Sequence, residues 1–150
     1  MPQSLSRVVV HGIFSTKNRE TLLHSEIRGE VFAYLATVLR NDGHIPIAVG
    51  GHLDHVHFLF GLSRTVTIAK TIENVKVSSS KWIKTKGKTW EDFSWQSGYA
   101  AFGISESEIK DVSEYIRNHD SHHTKISFQD EFRKLLTEYG IEFDERYVWD

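Results

Sequence analysis

The spacing of apolar positions changes several times along the chain, and each change marks an element. From Leu5 to Phe14 the apolar residues alternate, with Val8, Val10 and Phe14 on one side and Val9 and Ile13 on the other, which predicts a strand. From Glu20 to about Asn41 the spacing turns helical, with a stripe of Leu23, Ile27, Val31, Tyr34, Leu35 and Val38 and a stop at Gly43. Ile45 to Val49 and Asp54 to Leu62 read as a hairpin that turns at Gly50-Gly51. A second helix is predicted over Val66 to Lys84, and an extended segment over Phe93 to Ile104, interrupted at Gly98. Ser105 to about Ser121 reads as a third helix, opened by a capping box of Ser105 and Glu108 and buried through Ile109, Val112 and Ile116. Phe128 to Tyr139 is a last short helix, and the tail to Asp150 has no clear period.

Strand, helix, two strands, helix, strand is a βαββαβ order. It predicts the α+β class: a ferredoxin-like antiparallel sheet with two helices on one face and the active site on the other, plus a C-terminal helix that carries Tyr115. At 150 residues, one domain over 1–150 suffices.

The open sheet face is where the chemistry gathers. In a strand over 54–62, His55 and His57 share one side while Val56, Phe58 and Phe60 share the other. Two imidazoles so placed can chelate a metal; the plainer reading is a pair of polar positions on a solvated face. Asp54 has the opposite parity in a regular strand and reads as a turn residue rather than a support for an imidazole. Tyr115 and His119 lie four residues apart on the third helix and therefore on one face, where packing and surface exposure are the ordinary roles.

Composition narrows the classes. With no cysteine, disulfides and thiolate metal sites are excluded. No apolar run is long enough to span a bilayer and no signal-peptide core opens the chain, so a soluble cytoplasmic protein with no membrane partner is expected. The net charge of −2 is unusual for a nucleic-acid binder, but the charge is polarised. Arg64, Lys70, Lys76, Lys81, Lys84, Lys86 and Lys88 face Glu73 alone, whereas Ser105 to Asp150 holds twelve acids against six bases. A lysine-rich helix is ordinarily a solvated face; with nucleic acid nearby it becomes a phosphate contact.

Several blocks in order carry a resemblance: residues 11–19 (HGIFSTKNR), 50–57 (GGHLDHVH), 76–82 (KVSSSKW), 95–102 (WQSGYAAF), 115–119 (YIRNH), His122-His123, and the ending Tyr147-Val148-Trp149. Together they resemble the single-tyrosine HUH transposases, the insertion-sequence enzymes acting on single-stranded DNA, and their REP-associated relatives. The resemblance implies transesterification at a DNA phosphodiester, with Tyr115 as nucleophile and a 5′-phosphotyrosine intermediate. It implies His55 and His57 as metal ligands and the residue four past the tyrosine as a third; the commonest family residue there is glutamine, and here it is His119.

The family's cation is magnesium or manganese. An all-imidazole set leans toward manganese, with zinc binding possible. Lys70, Lys76, Ser79, Lys81 and Lys84 are candidate DNA contacts, and Trp95 and Tyr99 candidate stacking platforms. Roles for His122 and His123 stay open between phosphate contact, helix-end electrostatics and ligation. The expected partners are single-stranded DNA with a hairpin and a second copy in a homodimer, whose subunits are expected to exchange tyrosine helices through the Gly103 region. The alternatives are a domesticated REP-associated nickase and ligase, an HUH replication initiator, a metal-dependent hydrolase, and a non-enzymatic single-strand-binding module.

Overall fold

The computed structural model describes residues 2–119 and 126–150. Four strands, β1 (Val9–Ser15), β2 (Ile45–Gly51), β3 (His55–Gly61) and β4 (Ala100–Ile104), form one sheet in the order β2-β3-β1-β4, with every neighbouring pair antiparallel. Helices α1 (Ser25–Asn41) and α2 (Ile68–Ile83) follow β1 and β3, and α3 (Ile109–Arg117) and α4 (Phe128–Glu138) follow β4. This is the βαββαβ arrangement expected from the alternation of periods.

Strand parity divides the interior into two layers. Val10, Phe14, Val56, Phe58 and Phe60 pack with Leu23, Val31 and Leu35 and with Ile72 and Val75 under α1 and α2. Val9, Ile13, Leu59 and Phe102 pack with Ile116 of α3 and with Phe128, Phe132 and Leu136 of α4 on the opposite face. The imidazole face of the sheet is thus roofed by α3 and α4 of the same chain.

Several boundaries move. The first strand starts at Val9 because Leu5 and Val8 are exposed and find no layer to join. The first helix begins at Ser25; ahead of it, 17–19 form a short 3-10 turn with Asn18 and Arg19 at φ near 57° and 56°. Phe93 and Trp95 are buried outside any named strand, under α1 and α2. Gly50 and Gly51 are not the hairpin turn. They end β2, paired with His57 and Val56, and residues 52–54 make the turn.

Gly50 is needed for close approach, since a Cβ there would lie 2.2 Å from the Ile116 carbonyl oxygen of α3. The capping box is also altered: the Ser105 hydroxyl donates to the Glu108 carboxylate at 2.7 Å, not to the helix backbone. The end of the tyrosine helix near Ser121 lies outside the described residues. Among the described residues no helix is long and apolar enough to cross a membrane.

Candidate active site

His55 and His57 open β3, opposite Ser15 and Ile13 of β1. Their shared parity aims both rings at the α3/α4 face, and both are fully buried there. His119, just past the end of α3, brings its Nε2 to 3.0 Å from Nε2 of His55. Glu131 enters from α4. Its Oε1 lies 2.9 Å from His57 Nε2 and 3.5 Å from His55 Nε2, and its Oε2 lies 3.2 Å from His119 Nε2. The Tyr115 hydroxyl donates to the same Oε2. Tyr115 also stands edge-on to two of these imidazoles, with ring centroids 5.9 Å from His57 and 5.0 Å from His119.

The donor set fits a metal ion. One atom from each of His55, His57, His119 and Glu131 lies within 4.8 Å of all the others, and the four side chains are buried. Two further groups hold the imidazoles in place. The His55 Nδ1–H donates to Asp54 Oδ1 at 2.6 Å, which leaves Nε2 directed at the cluster. His57 Nδ1 lies 2.7 Å from Nε2 of His11, a diagonal neighbour on β1 with its ring stacked at 5.0 Å. Asp54 was expected to serve only the turn. Because β3 starts at His55, strand parity does not govern Asp54, and its carboxylate folds back onto the next residue's ring.

Burial and charge separate these groups electrostatically. His11 is pushed down to about 4 by burial, and burial likewise takes His57 well below its ordinary 6.5 against the pull of Glu131. Burial also opposes charge on His55, but hydrogen bonds and charges of Asp54 and Glu131 outweigh it, and its pKa is raised. The Tyr115 hydroxyl is raised above its ordinary 10 by burial and by the Glu131 charge beside it. A cleft of about 460 Å³ between α3 and α4, bordered by Val112, Leu135 and Tyr139, opens on Tyr115, Glu131 and His11.

Glu131 and His11 escaped the sequence reading, although a signal for Glu131 exists. Phe128, Glu131, Phe132 and Leu136 recur at i, i+3, i+4 and i+8, so a carboxylate occupies the buried stripe of α4. On such a stripe an acid is almost never found without a partner.

The expected DNA contacts divide. Ser79 is a correction: it is fully buried, its hydroxyl donates to the Val75 carbonyl at 2.6 Å and accepts the Trp95 indole N–H at 2.9 Å. Trp95 is correspondingly buried and no platform for bases, while Tyr99 is 40% exposed. Lys76 Nζ donates to the carbonyls of Gln96, Ser97 and Gly98 at 2.8, 2.9 and 2.7 Å, which fastens α2 to the loop before β4; burial takes it down to about 8. Lys70, Lys81 and Lys84 are exposed, Lys70 pairs with Glu73, and Lys81 and Lys84 border a groove of about 290 Å³ with Ser80 and Ser94. All lie on the α2 side, across the sheet from the imidazoles. His122 and His123 lie outside the described residues.

Within the one chain described, α3 lies on its own sheet. Ile116 of α3 packs into the layer formed by its own strands, and Tyr115 meets its own chain's His57 and Glu131.

A ferredoxin-like sheet roofed by two helices over a buried cluster of three imidazoles and a carboxylate, able to hold a metal ion, defines the class of protein. The family of IS200-like transposases matches residues 4–119, and the chain belongs to that family. Two solved structures share the fold. One is a candidate transposase from Deinococcus radiodurans, 22% identical with a TM-score of 0.62, over 80% of this chain and 96% of that one. The other is a REP-associated tyrosine transposase bound to a REP hairpin, 13% identical with a TM-score of 0.60, over 84% of this chain and 74% of that one. No curated protein matches the chain.

Proposed function

We propose that the chain cleaves and rejoins single-stranded DNA at hairpin ends of a mobile element, by transesterification through a 5′-phosphotyrosine at Tyr115. The observation that carries this is the Tyr115 hydroxyl set against the His57, His119 and Glu131 groups within one chain of the transposase family. In this reading the tyrosine oxygen attacks phosphorus, the 3′-hydroxyl leaves, and one phosphodiester is exchanged for another of similar energy, so the step reverses without ATP. His55, His57 and His119, with Glu131 as a fourth donor, would hold a divalent cation, which would supply polarisation of the scissile phosphate and offset charge developing on it. Asp54 and His11 fix the ring orientations of His55 and His57.

Three nitrogens and one carboxylate oxygen suit manganese better than magnesium and leave zinc as a competitor. Exposed Lys70, Lys81 and Lys84 support backbone contact to the strand, in the cytoplasm where such DNA is handled. A hairpin substrate is favoured because the REP-associated relative shares this fold and is bound to one. The Tyr115 hydroxyl beside Glu131 of the same chain supports use of the tyrosine in cis.

Incubation with labelled hairpin single-stranded DNA and manganese should give a denaturation-resistant protein–DNA species. Tyr115→Phe removes only the hydroxyl, so fold and DNA binding should persist while the adduct disappears. Adduct surviving in Tyr115→Phe contradicts the assignment.

A further inference from the structure

Glu131 is the buried ionisable group that the reaction so far uses only as a donor to the cation. It is 3% exposed and held by an anchored helix: Ser127 caps α4 by accepting from the Asp130 N–H, Phe128 and Phe132 pack beneath, and Trp149 of the tail covers both. A buried carboxylate is costly unless its oxygens are engaged, and here the two are engaged differently. Oε1 faces His57 and His55, whereas Oε2 receives the Tyr115 hydroxyl and lies 3.2 Å from His119 Nε2.

We propose that Glu131 is the general base of the reaction, its Oε2 taking the proton of Tyr115 as the tyrosine oxygen bonds to phosphorus. The inference rests on the reading of Tyr115 as nucleophile. As the Tyr115 oxygen–phosphorus bond forms, the hydroxyl proton moves to Glu131 Oε2. The bond from phosphorus to the 3′-oxygen breaks, its electron pair leaves with that oxygen, and water supplies the proton that makes the 3′-hydroxyl. Release of the Glu131 proton to solvent closes the count. In rejoining, a 3′-hydroxyl attacks phosphorus and loses its proton to solvent, and Glu131, protonated, returns a proton to the departing Tyr115 oxygen.

Geometry favours this oxygen over the imidazoles. His55, His57 and His119 direct nitrogen into the cluster, where a bound cation would occupy their lone pairs, whereas the carboxylate of Glu131 is the group that already receives the Tyr115 hydroxyl, at Oε2. A phenol attacking phosphorus must lose its proton as the bond forms, and Glu131 Oε2 is the oxygen that already receives that hydroxyl. The family match ends at His119, twelve residues before this helix position, so the base comes from a part of the chain outside the match.

The test compares three proteins on labelled hairpin DNA with manganese: the unaltered chain, Glu131→Gln, and Glu131→Gln with 3,5-difluorotyrosine at position 115, whose ring fluorines make the hydroxyl more acidic. Single-turnover adduct formation and manganese affinity by electron paramagnetic resonance are read together. Glu131→Gln should form adduct roughly a hundredfold or more slowly, in the range of a lost general base. The fluorinated tyrosine should recover at least about tenfold of that loss with manganese affinity unchanged by the fluorines, because a more acidic nucleophile needs its base less.

A Glu131→Gln protein as fast as the unaltered chain overturns the inference, and so does a slow one that difluorotyrosine leaves slow. If Glu131→Gln does not fold, Glu131→Asp takes its place in the same comparison, the shorter reach slowing proton transfer. Adduct formation by the unaltered protein separates the two readings: without it, the role of Tyr115 falls and this inference with it; with it, only Glu131 is in question.

Discussion

At the residue scale, burial favours the neutral form of two imidazoles at the site, His11 and His57. His11, pushed down to about 4, is neutral in the folded chain at pH values where the unfolded chain takes up a proton at its ordinary 6.5. Above pH 6.5 both states are neutral and folding gains or loses nothing from it. As pH falls from 6.5 to about 4 the unfolded state binds the extra proton, and stability declines over that window by up to about 3 kcal/mol for this ring. His57 shifts in the same direction and adds to the decline, while His55, raised, works against it. Urea midpoints in the presence of a chelator should therefore fall between pH 6.5 and 4.5, and His11→Gln should flatten the slope. A pH-independent midpoint contradicts the buried-neutral description.

His55 and His57 were legible because period 2 is a property of the strand itself, and Tyr115 and His119 because i, i+4 is a property of the helix. His11 was not, since its role comes from pairing between β1 and β3. No local period announces a diagonal contact across a sheet.

At the element scale, α3 and α4 are the parts that turn an open sheet face into a site. α3 can lie close because Gly50 has no Cβ to meet the Ile116 carbonyl. Gly50→Ala should push α3 outward, carrying Tyr115 and His119 off His57; cleavage should fall by at least tenfold, since misplacement of about 1 Å alone can cost a hundredfold. Strand pairing, read by far-ultraviolet circular dichroism, should persist. Full activity in that variant means that α3 is not docked through this contact.

The glycine pair illustrates where sequence reasoning stops: Gly-Gly between two apolar runs carries the usual mark of a turn, yet it answers here to a helix more than sixty residues away. Glu131 was hidden for a related reason. An acid in a short C-terminal helix looks solvated until the stripe of Phe128, Phe132 and Leu136 is aligned with it.

At the scale of the whole molecule, the sheet divides the labour. One face buries an aromatic and aliphatic core beneath the lysine-bearing α2, and the other buries the imidazole–carboxylate cluster beneath α3 and α4. The order of elements, and hence the fold, is readable because each element keeps its own period; which chain supplies the tyrosine is not, because it depends on how α3 packs and on no local period. If each chain uses its own tyrosine, as the contact of Tyr115 with Glu131 of the same chain favours, mixing Tyr115→Phe with His57→Ala under conditions that allow subunit exchange should leave cleavage absent. Recovered cleavage means that tyrosine helices are shared between copies.

The central claim is that Tyr115 becomes covalently joined to DNA at this cluster, and mass spectrometry of the trapped adduct tests it most directly. Digestion of the protein–DNA species should yield the peptide containing Tyr115 linked through its oxygen to a 5′-phosphate, with a free 3′-hydroxyl on the released strand. A linkage at another residue, a 3′-phosphate linkage, or cleavage with no covalent species contradicts the account.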